Sequence, residues 1–186
     1  EIGQPLHAFD ADKIEGKKVI IRNLPDKSKF ITLDEAERSL SARDLMICNA
    51  KEGMCIAGVF GGIKSGVTDS TKNIFLESAY FNPVSIRKTA RRHGLNTDAS
   101  FRFERGSDIG ITTYALKRAA LLICETTGGE ISSPVLDEYP VRQPKPVVTL
   151  SYTNLDRLVG KSIDRQMVKK ILGFLAALTF SLGIWS

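Results

Sequence analysis

The sequence predicts an α+β fold: a strand-rich domain with two main helices, followed by the truncated start of a second small module. Three observations carry this. Between residues 17 and 81, short apolar runs alternate with turn-rich pieces, which is the pattern of short strands. At Asn82-Pro83 the apolar spacing changes to a helical one. Pro134, Pro140, Pro144 and Pro146 then stiffen the chain against further regular structure. The expected divisions are residues 1–140 for the first domain, 141–146 for a proline-rich linker and 147–186 for the start of the next module.

The expected strands are residues 19–22, 30–33, 45–48, 55–59 and 74–77. Turns are expected at 34–37, 49–53 and 61–66, where Gly, Asn, Asp and Lys collect. Asn82 can cap a helix and Pro83 suits its first position, so a helix is expected from there to His93, stopping at Gly94. A second helix should run from 111 to 127 and close on Gly128-Gly129. Ile111, Ala115, Leu116, Ala119, Leu122 and Ile123 recur on one face, so this one reads as a core helix. Beyond the prolines a strand at 147–150 and helices near 153–159 and 164–177 are expected.

Composition sets outer bounds. With 42% hydrophobic and 25% charged residues in 186, the chain is of ordinary globular type. A net charge of +5 permits an anionic partner without demanding one. Cys48, Cys55 and Cys124 include no CxxC pair, and two histidines cannot complete a zinc site with them. The reading is three reduced, buried cysteines and no metal. Residues 171–185 carry no charge but are too short for a membrane helix of about 20 residues and are broken by Gly173 and Gly183. An exposed apolar patch is expected there. The sequence opens at Glu1 rather than Met and stops inside this stretch, so it reads as a segment of a longer protein.

Few residues offer chemistry. Glu77 is the single acid in residues 74–81, an otherwise apolar strand, so it faces water, pairs with an arginine between Arg87 and Arg105, or serves a ligand. His7, near neutral pKa, can order or deprotonate a water, or simply hold a backbone carbonyl. His93 suits a helix C-terminus. Gly58, Gly61 and Gly62 make no phosphate loop, because Lys64-Ser65 falls wrongly for one; they serve close approach or turns. Thr97-Asp98 can cap a helix, and the small Ala99 leaves room beside it. Arg87, Lys88, Arg91, Arg92, Arg102 and Arg105 concentrate positive charge that suits phosphates, a solvated helix face, or pairing with Glu104 and Asp108. Phe101 and Phe103 could stack a base, although the alternation in Phe101-Arg102-Phe103-Glu104 favours a strand with one buried face. No Gly-x-Ser-x-Gly elbow is present, so any hydrolysis would use water directly.

Four motifs in register go further: Gly3-Gln4-Pro5-Leu6-His7-Ala8-Phe9-Asp10, Ile56-Ala57-Gly58-Val59-Phe60-Gly61-Gly62, Leu76-Glu77-Ser78-Ala79, and the run from Gly94-Leu95-Asn96-Thr97 through Phe103-Glu104-Arg105-Gly106. Together they resemble the third and fourth modules of the beta-subunit family of bacterial phenylalanyl-tRNA synthetases, over nearly all of residues 1–140. Leu155-Asp156-Arg157-Leu158-Val159-Gly160 resembles the opening of the next module. The resemblance implies an α2β2 cytoplasmic parent enzyme whose alpha subunit charges tRNA(Phe) using ATP and magnesium. It implies an editing region here that hydrolyses tyrosyl-tRNA(Phe), with no cofactor in this segment and neither membrane nor DNA as partner. Carried over by motif, His7 would be catalytic, and Gly61, Glu77, Thr97 and Ala99 would bind substrate. Arg87, Arg91, Arg92 and Arg102 would face the tRNA. The family's pocket also draws on polar residues upstream of the Gly-Gln-Pro motif, with which this sequence begins.

The chemistry of such a site is specific. Tyrosine is phenylalanine plus a hydroxyl, and an apolar pocket rejects an added hydroxyl by only about 10². A second pocket that hydrogen-bonds the hydroxyl discriminates better, and Glu77 is the natural acceptor. The competing reading is a non-catalytic tRNA-binding or subunit-assembly module. Ligation of phenylalanine by this chain alone is excluded, since no ATP-binding signature is recognisable.

Overall fold

The computed structural model describes residues 2–141 and 147–181, with side chains to residue 175. Most of the expected linker, 142–146, and the last residues, 182–186, lie outside the described residues. The fold is α+β, as expected, and the chain divides into two compact units, Glu1–Ser132 and Ser133–Ser186.

In the first unit the strands are β1 (Leu6–Asp10), β2 (Ile20–Asn23), β3 (Lys29–Ile31), β4 (Glu37–Ser39), β5 (Leu45–Cys48), β6 (Gly53–Ile56), β7 (Phe60–Gly61) and β8 (Ile74–Ser78). They form three antiparallel sheets: β1–β8, β2–β5–β6–β7 and β3–β4. A single bridge from Thr32 to Gly62 links the ends of β3 and β7, and another from Phe9 to Gly66 ties β1 to the loop after β7. One core joins them, built on Phe9, Met46, Ile47, Met54, Ile56 and Phe81.

The strand expected over 55–59 ends at Ile56. The chain reverses there, with Val59 N–H donating to the Ile56 carbonyl at 2.9 Å. Gly58 takes φ +65, and a Cβ on it would stand 2.6 Å from the Phe81 ring and 2.8 Å from Ile86, so only glycine fits the turn's tip into the core. β1 and β4 are strands where none was expected. Leu-His-Ala-Phe-Asp has no β-branched residue, and its extended form follows from pairing with β8, 64 or more residues away in sequence. Glu37, expected in a turn, opens β4 because the reversal is completed by Glu35 at φ +62.

Helix α1 (Pro83–His93) has the expected ends. The Asn82 side chain accepts from the N–H groups of Val84 and Ser85, and Gly94 closes the helix at φ +63. The N–H of Leu95 returns to the Ala90 carbonyl at 2.9 Å while its side chain is buried, completing the cap. A Cβ at Gly94 would touch nothing within 4 Å. Gly94→Ala is therefore expected to cost only the left-handed backbone penalty, about 1 kcal/mol, read as a lower urea midpoint with an unchanged slope. A loss several times larger would mean that Gly94 packs against something.

Helix α2 (Asp98–Phe103) replaces the strand suggested by the alternation at 101–104. Thr97 and Ser100 form a reciprocal capping box, which fixes the helical start locally. In a helix Ser100 and Phe103 fall on one face, and both are buried; Phe101 points out, 57% exposed, beneath the Arg105 guanidinium at 3.5 Å. Helix α3 (Thr112–Thr127) was expected to be a core helix, yet only Ala115 is buried and Leu121 is 58% exposed. It packs against β8 of the two-stranded sheet. A five-residue strand is about 17 Å long, against about 24 Å of helix, so it cannot cover the whole apolar stripe.

Asp44 fastens the four-stranded sheet to α1. Its carboxylate, fully buried, accepts from Ser41 N–H at 2.8 Å and Thr89 Oγ1 at 3.0 Å, and pairs with Arg92 and with His93 Nε2 at 2.7 Å. These partners together hold its pKa below the usual carboxylate value against the opposing effect of burial. His93 is thus a structural residue at the helix end, as expected.

The second unit contains α4 (Tyr152–Val159), capped by Ser151, and α5 (Arg165–Ser181). Residues 147–150 are not a strand: Val147 and Val148 are 93% and 87% exposed, and no described segment pairs with them. Ile171, Leu172, Phe174 and Leu175 are exposed, the expected apolar patch as far as it is described.

Candidate active site

The cavity that matters lies in the first unit, between the β1–β8 ribbon, the turn at Gly58, and the start of α2. It measures about 310 Å³, within the range of small-molecule sites. His7, Gly61, Glu77, Thr97 and Ala99, five residues spread over 93 positions of sequence, all line it. Pro5, Leu6, Leu33, Val59, Phe60, Phe81 and Phe103 supply apolar walls.

The antiparallel register places His7 directly opposite Glu77. Side chains so paired leave the same face of the ribbon about 5 Å apart at Cβ. Neither side chain has a hydrogen bond or ion pair among the described residues, so Glu77 has none of the arginine partners its sequence position allowed. Burial pushes the Glu77 carboxyl up to about 7, and burial lowers His7 below 6.5. Near neutral pH the face therefore presents a neutral imidazole beside a carboxyl whose pKa is raised toward neutrality. The His7 ring packs against the fully buried Phe9 ring, with centroids 4.3 Å apart and the planes tilted by 54°, which supports the imidazole from behind.

Gly61 is needed for close approach. A Cβ there would stand 2.8 Å from His7 Cε1 and 3.0 Å from Leu33 Cδ1. Thr97 has two duties at once: its hydroxyl donates to the Val59 carbonyl at 2.7 Å and accepts from Ser100 N–H at 3.1 Å. It joins α2 to the Gly58 turn, and its oxygen keeps one lone pair for a ligand donor. Cys55 also lines the cavity, but burial, with some contribution from the Glu77 charge, raises its thiol pKa well above the ordinary value, so it is no nucleophile. Cys48 is likewise buried, while Cys124 is only half-buried, against the expectation that all three are buried. Among the described residues no group of three His, Cys, Asp or Glu could hold a metal ion.

The arginines behave differently from one another. Arg87, Arg91, Arg92 and Arg102 are all exposed, but Arg92 is also committed to the buried Asp44. None of the four lines the cavity. Asp98, whose sequence position suggests only part of a Thr97-Asp98 cap, lines the cavity between Thr97 and Ala99. Among the described residues no helix is long and apolar enough to cross a membrane.

The chain is 56% identical over 170 residues to the phenylalanine--tRNA ligase beta subunit of Bacteroides thetaiotaomicron, covering 91% of this chain and 21% of that protein. The corresponding subunit of Porphyromonas gingivalis is 49% identical over 176 residues, covering 94% and 21%, and that of Carboxydothermus hydrogenoformans 45% over 172, covering 92% and 22%. The chain thus spans about a fifth of the length of these relatives. The model of the B3/4 domain matches residues 1–128, which include every residue lining the cavity, and the chain belongs to the B3/4 domain family.

Proposed function

We propose that this chain is the editing region of a phenylalanyl-tRNA synthetase beta subunit and hydrolyses the ester of tyrosyl-tRNA(Phe). The observation that carries it is the His7–Glu77 cross-strand pair, unpartnered inside one cavity with Gly61, Thr97 and Ala99. An unpaired carboxyl and an unpaired imidazole in a half-buried apolar site are costly to keep unless a ligand uses them.

The chemistry follows from that pair. Neutral His7 accepts a proton from water as the water oxygen attacks the ester carbonyl carbon. The bond to the ribose oxygen then breaks, the proton passes to that oxygen, and free tyrosine and tRNA leave. Glu77 accepts a hydrogen bond from the phenolic hydroxyl, which phenylalanine lacks. Exposed Arg87, Arg91 and Arg102 are suited to phosphates outside the cavity.

In this reading residues 1–140 form the editing domain, 141–146 the linker and 147–186 the opening of the next module. The parent enzyme is cytoplasmic, acts with an alpha subunit, and uses ATP and magnesium for charging. The test is deacylation of tyrosyl-tRNA(Phe) and phenylalanyl-tRNA(Phe) by the synthetase that contains this segment. Fast release of tyrosine with slow release of phenylalanine is expected. Binding of both without hydrolysis of either would make the segment a tRNA-binding or assembly module instead.

A further inference from the structure

Resting on the hydrolase reading, we propose that Asp98 holds the α-ammonium group of the aminoacyl ester at the mouth of the cavity and so selects free aminoacyl esters over N-blocked ones.

The case begins with the charges that line the cavity. The ionisable lining residues are His7, Cys55, Glu77 and Asp98; no lysine or arginine is among them. A tRNA ester is a polyanion, and a cavity with two acids and no fixed cation disfavours it everywhere except at one cationic group. An aminoacyl ester has one such group, the ammonium next to the scissile carbonyl. Of the two acids, Glu77 is half-buried on β8 opposite His7, while Asp98 is exposed at the first position of α2. The carboxylate of Asp98 makes no hydrogen bond or ion pair among the described residues, although Arg102 follows it by four residues on the same short helix.

Its neighbours support the assignment. Capping of α2 is done by Thr97 and Ser100, so Asp98 is not needed for it. The Thr97 hydroxyl donates to Val59, which leaves only acceptor capacity toward the cavity. An ammonium donates three hydrogen bonds and accepts none, which suits a free carboxylate beside a hydroxyl lone pair. The small Ala99 next to them leaves space for the group.

The experiment compares tyrosyl-tRNA(Phe) with N-acetyltyrosyl-tRNA(Phe) as substrates of the full synthetase. Wild type should hydrolyse the free-amine ester faster. Asp98→Asn should lower kcat/KM for that ester about 10- to 100-fold, mainly through KM, as expected for one lost charge-assisted hydrogen bond, and leave the N-acetyl ester nearly unchanged. Asp98→Glu should recover part of the loss. An equal fall for both esters, or no change for either, overturns the proposal and leaves Asp98 as a helix-start residue. A wild type that hydrolyses neither ester overturns the hydrolase reading itself, a distinct result. Thermal melts that match wild type show that the Asn variant is folded; if it melts early, the same comparison is made with Asp98→Ser, which also lacks the carboxylate and whose unchanged preference between the esters would equally refute the role.

Discussion

Replacing His7 with alanine is expected to slow hydrolysis of tyrosyl-tRNA(Phe) by about 10² to 10⁴, the range for loss of a general base. His7 can serve because burial keeps it neutral below its ordinary pKa of 6.5, so it has a lone pair available at neutral pH. The rate should accordingly fall as pH drops through that lowered value and be flat above it, until Glu77 intervenes. The substitution also removes a ring that packs against Phe9 and fills the space beside Gly61. His7→Gln, which keeps bulk and polarity without a titratable base, separates the two effects. Loss of rate in both variants with normal melting supports catalysis. A rate that survives in His7→Gln makes the residue a structural one.

Glu77 should show its role in a ratio. A hydrogen bond to a charged acceptor is worth about 1.5 to 3 kcal/mol, so Glu77→Ala should lower the preference for tyrosyl over phenylalanyl ester about 10- to 150-fold. Hydrolysis of the phenylalanyl ester should stay the same or rise. Because burial raises the carboxyl to about 7, the wild-type preference should strengthen between pH 6 and pH 8, as the acceptor becomes charged. Stability should respond in the opposite sense. Between its ordinary value of 4.5 and about 7, Glu77 holds a proton in the folded chain that it would lose when unfolded. Stability contributed by this group therefore falls as pH rises through that window, and Glu77→Gln should remove the slope. Two deacylation rates and a pH series of melts measure all of this. If both rates fall together and their ratio holds, Glu77 is not the selector.

Local chemistry made much of the chain legible in its sequence. Asn82, Pro83 and Gly94 mark both ends of α1, and Gly128 ends α3, because caps depend on a few adjacent residues. β5 appears at 45–48 as expected, since a buried central strand must be apolar throughout. The five pocket residues could be named from their motifs, and an isolated acid in an apolar strand was already anomalous. What remained hidden depends on distant partners. β1 exists through its ladder with β8, Phe103 is buried by a helix rather than a strand, and α3 is half-exposed because the strand it packs against is shorter than the helix. The spending of Arg92 on Asp44, 48 residues away, could not be read from a cluster of arginines. Above all, sequence could nominate His7 and Glu77 but not set them opposite each other: 70 positions separate them, and only the register of β1 on β8 brings them to one face, where burial lowers the pKa of one and raises that of the other.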